Sequence, residues 1–251
     1  MSSSTPEAAT RYDRYALILD PERTRLGIEA VGLVDRGIDP LYAADPHEAF
    51  LLARQEGHRL GALVVPGSLS MAAFDALIRK VAPELWAGAG AIVVVDPPGD
   101  RGALRALCDR GIRWALREPY DAAEFRFVVS AAFATDDSLD PRCGLRVPIH
   151  LPARVETPGG AFAATVRNLS VGGAFVALAE PPEPSTPIAL ELRLGEAELR
   201  CQATAVYAQP PGVPGRAIQE AGMGVAFRGL NEAESKRLRD FVRERISGFR
   251  L

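Results

Sequence analysis

The chain has 251 residues, 47% hydrophobic and 24% charged, with a net charge of −3, an ordinary composition for a water-soluble globular protein with room for two modest domains. Its longest apolar runs are far too short for a transmembrane helix. Three cysteines at unrelated spacings, Cys108, Cys143 and Cys201, offer neither a disulfide framework nor a zinc pattern, which suits a reducing cytoplasm.

Residues 1–13 mix Ser, Thr, Pro and Ala without periodicity and are expected to be disordered. They carry no apolar core or cleavage pattern of a secretion signal. Residues 15–19 (YALIL) read as a buried strand ending at Asp20-Pro21. A helix follows, with Leu26, Ala30, Leu33 and Val34 at near-helical spacing. Residues 39–44 read as a short strand and 46–55 as a helix. The run 61–65 (GALVV) is cut by Pro66-Gly67, and 72–81 is helical with apolar Phe74, Leu77, Ile78 and Val81. Residues 91–95 (AIVVV) are strongly strand-like. Residues 103–109 are helical, 114–116 a brief strand before Glu118-Pro119, and 121–133 a closing helix. Strand and helix alternate five times, and the strands are continuously apolar. That pattern predicts an α/β doubly wound parallel sheet over 14–134.

Residues 135–141 (TDDSLDP) are polar and acidic and read as an interdomain linker. Beyond it the period changes to short strands at 147–155, 161–166, 174–178, 188–194, 199–207 and 223–227. These predict a small antiparallel six-stranded β-barrel over 142–251, closed by a C-terminal helix. Asn231 is the expected N-cap of that helix, with Glu234 three residues on, and Leu238, Phe241, Val242 and Ile246 form its apolar stripe. Charge divides with the architecture. Residues 1–140 hold 15 Lys+Arg against 21 Asp+Glu, and residues 141–251 hold 14 against 11, only one of the 14 being lysine. Arginine suits planar recognition of phosphates and bases.

Two of those arginines, Arg142 and Arg146, stand four apart just before the first barrel strand. Twenty-two residues after Arg146 comes Asn168-Leu169-Ser170-Val171-Gly172-Gly173. Either half alone is common in turns and linkers. Together, in this order and on a strand-rich background, they resemble the PilZ domain, the bacterial receptor module for cyclic di-GMP. The resemblance covers about 142–248 and includes the late run Gly222-Met223-Gly224-Val225-Ala226-Phe227. It implies that Arg142 and Arg146 grip the ligand from the segment before the first strand, with Asn168, Ser170 and Gly173 on the barrel surface beneath. The chemistry is apt. A guanidinium forks onto phosphate or onto guanine O6/N7 and stacks on a base. The Asn168 carboxamide pairs with a guanine edge, the Ser170 hydroxyl meets base or phosphate, and Gly172 and Gly173 let the backbone turn and come close. One departure from the family is Asp140-Pro141, where many members carry further basic residues.

The alternation over 15–133 resembles the receiver domain of response regulators. Such a domain needs an acid pair after its first strand, where this chain has Asp20 and Glu22. It needs a phosphoacceptor Asp after strand three, where Pro66 stands, and Thr or Ser after strand four, where Asp96 stands. Its Lys-Pro after strand five is Glu118-Pro119 here. Proline has no carboxylate to phosphorylate, so the expectation is a pseudo-receiver serving as a protein-interaction surface. An unrelated flavodoxin-like domain is the other reading.

His47, His58 and His150 have no metal spacing, Asp136, Asp137 and Asp140 suit a solvated linker, and residues 88–90 form a short loop. No catalytic set is recognisable. The expected protein is a cytoplasmic cyclic di-GMP-binding signalling adaptor. It has no enzymatic activity and no metal, and cyclic di-GMP is a ligand rather than a cofactor. A protein partner docks on the receiver-like domain, with no nucleic-acid partner and no membrane insertion. The alternative is a ligand-independent interaction module.

Overall fold

A computed structural model describes residues 14–21, 25–34, 37–133, 145–211 and 220–251. The expectations for 1–13, the linker 135–141, Glu22 and Arg142 lie outside the described residues. The chain divides into two units, one formed by residues up to 134 and one by 135–250.

The first unit alternates as its apolar runs predict. Strands β1 (Arg14–Leu19), β2 (Ile38–Ala43), β3 (Leu60–Pro66), β4 (Ile92–Val95) and β5 (Trp114–Leu116) alternate with helices α1 (Arg25–Val34), α2 (Pro46–Glu56), α3 (Met71–Lys80), α4 (Arg101–Asp109) and α5 (Ala122–Ala132). The strands pair in parallel in the order β2-β1-β3-β4-β5. This is a doubly wound sheet whose switch point lies between β1 and β3. Strands β3 and β4 are buried along almost their whole length because helices cover both faces, which explains their unbroken hydrophobicity. On one face Leu17, Leu63, Val65, Phe74, Leu77 and Leu107 form part of a common core.

Local capping sets where the helices begin. Asp45, Ser70, Asp100 and Asp121 each accept a hydrogen bond from a backbone N–H of the first turn, at 2.7, 3.2, 2.8 and 2.8 Å. Each such cap contributes about 1 kcal/mol. The Asp100 cap starts α4 two residues before the predicted 103. The stretch 88–90, expected as a loop, is part of a 3-10 turn, Gly88–Ala91.

The second unit is a closed barrel in the order β10-β11-β8-β7-β6-β9. Its strands are β6 (Val147–Thr157), β7 (Gly160–Ser170), β8 (Gly173–Ala177), β9 (Pro187–Leu194), β10 (Ala197–Gln209) and β11 (Gly222–Arg228), all antiparallel. Val147, Val155, Val166, Leu169, Val176 and Val225 belong to its buried interior. Helix α6 (Glu232–Ser247) begins with the expected Asn231–Glu234 capping box, and Leu238, Val242 and Ile246 bury its apolar stripe while Phe241 is half-buried. Strand β7 runs four residues past the predicted 166, and β10 is longer at both ends than predicted. The β7 extension passes through a β-bulge at Arg167, where simple alternation breaks down, and β10 carries a second bulge at Val206 within the predicted span.

Candidate functional site

The motif residues gather at the β7–β8 hairpin. Along β7, Val166 and Leu169 are both fully buried although they are three apart. The register slips between Val166 and Asn168, which makes Arg167 the extra residue of a bulge. The bulge lets both valine and leucine face the barrel interior while Asn168 and Ser170 share the opposite face. Pro148 of β6 stands opposite Asn168, and Val147 opposite Leu169. Arg146, exposed, directly precedes Val147. The structure therefore brings Arg146, Asn168, Ser170, Gly172 and Gly173 to one end of the β6–β7–β8 surface.

Their local chemistry differs. The Asn168 Oδ1 is buried and accepts no hydrogen bond among the described residues. A buried acceptor in that state costs about 1–3 kcal/mol. Ser170 is buried, and its hydroxyl donates to the Gly173 carbonyl at 3.1 Å, closing the hairpin. The Gly172 carbonyl accepts from the Phe227 N–H at 3.0 Å. A Cβ on Gly173 would lie 2.1 Å from the Val225 carbonyl oxygen, so the barrel's own backbone demands glycine there. A Cβ on Gly172 would meet open space.

A partner pair escapes sequence reasoning. Arg167 grips Glu220 bidentately, Nε donating to Oε2 at 2.6 Å and Nη2 to Oε1, and Gln209 donates to the Glu220 carbonyl at 2.9 Å. These contacts tie the bulge beside Asn168 to the foot of β11. The two residues are 53 apart in sequence, so no local pattern joins them. On the other side of Asn168's row, the Arg245 guanidinium of α6 donates to the Pro148 carbonyl at 3.4 Å. A separate groove of about 510 Å³ lies where β9 and β10 meet the start of α6, and none of the motif residues lines it. Cys201 borders this groove; burial, and secondarily the Glu234 charge, push its thiol up to about 11, which makes it an unreactive thiol at neutral pH.

In the first unit, Asp20, Pro66, Asp96 and Glu118 sit at or just beyond the carboxyl ends of β1, β3, β4 and β5, the edge where doubly wound folds carry their sites. Asp20 is buried; burial foremost, and then the charge of Asp20, raise the Tyr42 phenol pKa. Between β3 and β4 the edge is shut by backbone. The Gly67 N–H donates to the Val95 carbonyl at 2.6 Å, and a Cβ on Gly67 would lie 2.1 Å from the Asp96 carbonyl oxygen. Asp96 itself has a left-handed φ of 51°, a conformation Asp tolerates better than most residues. Among the described residues no three His, Cys, Asp or Glu side chains form a metal-holding group, and no helix is long and apolar enough to cross a membrane.

Comparison with known proteins assigns the second unit. The PilZ domain family model matches residues 140–244. None of the curated proteins matches the sequence. Among solved structures, the chain is similar to the Bacillus subtilis inhibitor of motility MotI/DgrA (16% identity, TM-score 0.35), the match covering 40% of this chain and 49% of that one. The chain thus spans about half the length of that relative. It is also similar to the PilZ domain, with c-di-GMP, of YcgR from Escherichia coli (14% identity, TM-score 0.34, 41% and 90% covered). A response regulator from Thermotoga maritima is similar as well (13% identity, TM-score 0.41, 49% and 98% covered).

Proposed function

We propose, from a chain that carries a PilZ domain over residues 140–244, that this domain binds cyclic di-GMP and that the protein is a cytoplasmic, non-enzymatic signalling adaptor. The observation that carries the proposal is the Asn168 Oδ1, a buried acceptor with no hydrogen bond among the described residues, opposite Pro148 two residues after Arg146. An acceptor of this kind meets the N1–H and N2–H donors of a guanine edge. Arg146, and Arg142 four residues earlier in sequence, supply guanidinium forks for the phosphates and the O6/N7 edge. In this reading Ser170, Gly172 and Gly173 shape the hairpin under the ligand, and no cofactor or metal takes part.

The receiver-like unit keeps the sheet and loses the reaction. Pro66 ends β3 where a phosphoacceptor carboxylate belongs, and on the β4 side Gly67 packs directly on the Asp96 backbone. Its role in the proposal is to dock a protein partner. Capture of the ligand by arginines beside the junction of the two units biases the adaptor towards one state.

Calorimetric titration of the full chain with cyclic di-GMP tests the proposal. Saturable binding that is weakened by Arg146→Ala and lost with Asn168→Leu is the expected result. An absence of heat, with the barrel folded by circular dichroism, rejects it in favour of a ligand-independent docking module.

A further inference from the structure

Asn168 belongs to a row that runs across four barrel strands. It stands opposite Phe175 of β8, Phe175 opposite Gly224 of β11, and Gly224 opposite Tyr207 of β10. Residues directly opposed across antiparallel strands point to the same face. The neighbours Leu169, Val176 and Val225 are buried inside the barrel, so the row Asn168, Phe175, Gly224, Tyr207 faces outward. Tyr207 reaches that face through a second bulge. The β10–β11 register slips between Ala205 and Tyr207, Ala205 is buried, and Val206 and Tyr207 are both exposed.

Glycine shapes what lies on this surface. A Cβ on Gly224 would sit 2.1 Å from the Tyr207 ring, and a Cβ on Gly222 would sit 2.8 Å from the tip of the Phe175 ring. Both rings therefore lean over β11, in space that only glycine leaves empty. Their centroids are 6.5 Å apart and their planes differ by 24°, a near-parallel stacked pair in which Phe175 is half-buried. Tyr207 remains 41% exposed although it is a large ring on a folded barrel. The pair begins one strand spacing, about 5 Å, from Asn168.

We infer that Phe175 and Tyr207 form a stacking floor for the purine face of the ligand whose edge Asn168 meets. This inference rests on the cyclic di-GMP reading and adds residues to it. Hydrogen bonds to Asn168 and Arg146 fix the edge and the phosphates. An aromatic plane is what the remaining, apolar face of a guanine calls for, and every base stacks on such a plane. The competing role for the rings is to cover strand glycines, a purely structural one. Leucine at either position keeps the cover and removes the plane, so the two roles separate.

The test is titration of the full chain with cyclic di-GMP at one salt concentration, alongside thermal melts. Tyr207→Phe is expected to bind within twofold of wild type. Tyr207→Leu and Phe175→Leu are each expected to bind about tenfold more weakly with the melt preserved, a loss in the range of one base–aromatic stack. If both leucine variants bind within twofold while Arg146→Ala loses affinity, the floor is overturned and the ligand assignment stands. If wild type binds nothing, both fall. Should the leucine variants lose their folded melt, ring-labelled tyrosine in the wild-type protein decides. An upfield ring-current shift of the Tyr207 protons on adding cyclic di-GMP is expected, and its absence overturns the floor.

Discussion

At the carboxyl end of β3, Gly67 packs so closely on the Asp96 carbonyl that a methyl group would lie 2.1 Å from it. At the corresponding functional edge of the barrel, the Asn168 Oδ1 is buried and accepts no hydrogen bond among the described residues. The first arrangement is finished, because backbone meets backbone and Pro66 contributes nothing titratable. The second is unfinished, and a fold carries an unmet acceptor at a cost of about 1–3 kcal/mol. Scaffold and chemistry are thus separable. The sheet retains an order suited to a ligand site while Pro66 withholds the carboxylate, and the barrel keeps an acceptor that its described residues leave unmet.

The contrast breaks most sharply at glycine. Gly173→Val should cost on the order of 3 kcal/mol or more of barrel stability, since the side chain meets the Val225 carbonyl rather than a movable group. Gly172→Ala, one methyl group in open space, should stay within about 0.5 kcal/mol. Denaturant unfolding followed by circular dichroism checks both, and equal losses would mean that the hairpin is not held by the Gly173–Val225 approach. Next in size is Arg146→Ala, expected to cost about 1.5–3 kcal/mol of cyclic di-GMP binding, the range of charge-assisted hydrogen bonds. Arg146→Lys should recover little of it, because the fork and the stacking plane are both gone; a full rescue by lysine would reduce the residue to a point charge.

Asn168→Leu tests the unfinished edge directly. Removing the unmet acceptor should raise stability by about 1 kcal/mol while ligand binding disappears. A variant that is less stable than wild type would show that Asn168 is held by partners in the apo protein. The smallest expected effect is none at all. Acetyl phosphate with Mg²⁺ should leave the receiver-like unit unlabelled, and an aspartyl phosphate found by mass spectrometry within residues 14–133 would erase the contrast between the two edges.

Much of the architecture could be read from the chain because apolar runs and turn residues are local signals. Residues 61–65 and 91–95 announce buried parallel strands, and Asn231 with Glu234 announces α6. Of the paired motifs' residues, the fold gathers Asn168, Ser170, Gly172 and Gly173 at the β7–β8 hairpin. Three features stayed hidden, each for a physical reason. The bulges at Arg167 and Val206 add one residue to a period of two, so alternation stops β7 at 166 and misassigns the face of Tyr207. The Arg167–Glu220 clamp joins residues that only the barrel's closure brings together. The aromatic row from Asn168 to Tyr207 is a property of register across four strands, and its members are scattered between positions 168 and 224 of the sequence.

The bulge at Arg167 makes the number of residues in β7 as informative as their identity. Substituting a neighbour changes one side chain; losing one residue changes the parity of the strand. Deleting the bulge residue itself would leave Val166 and Leu169 two apart, both still inward by simple alternation with Asn168 outward between them, and would remove the clamp to Glu220. The surface chemistry of this barrel is written in arithmetic as well as in letters, and a one-codon deletion at position 167 should regularise the strand and spare the outward row while costing the clamp to Glu220.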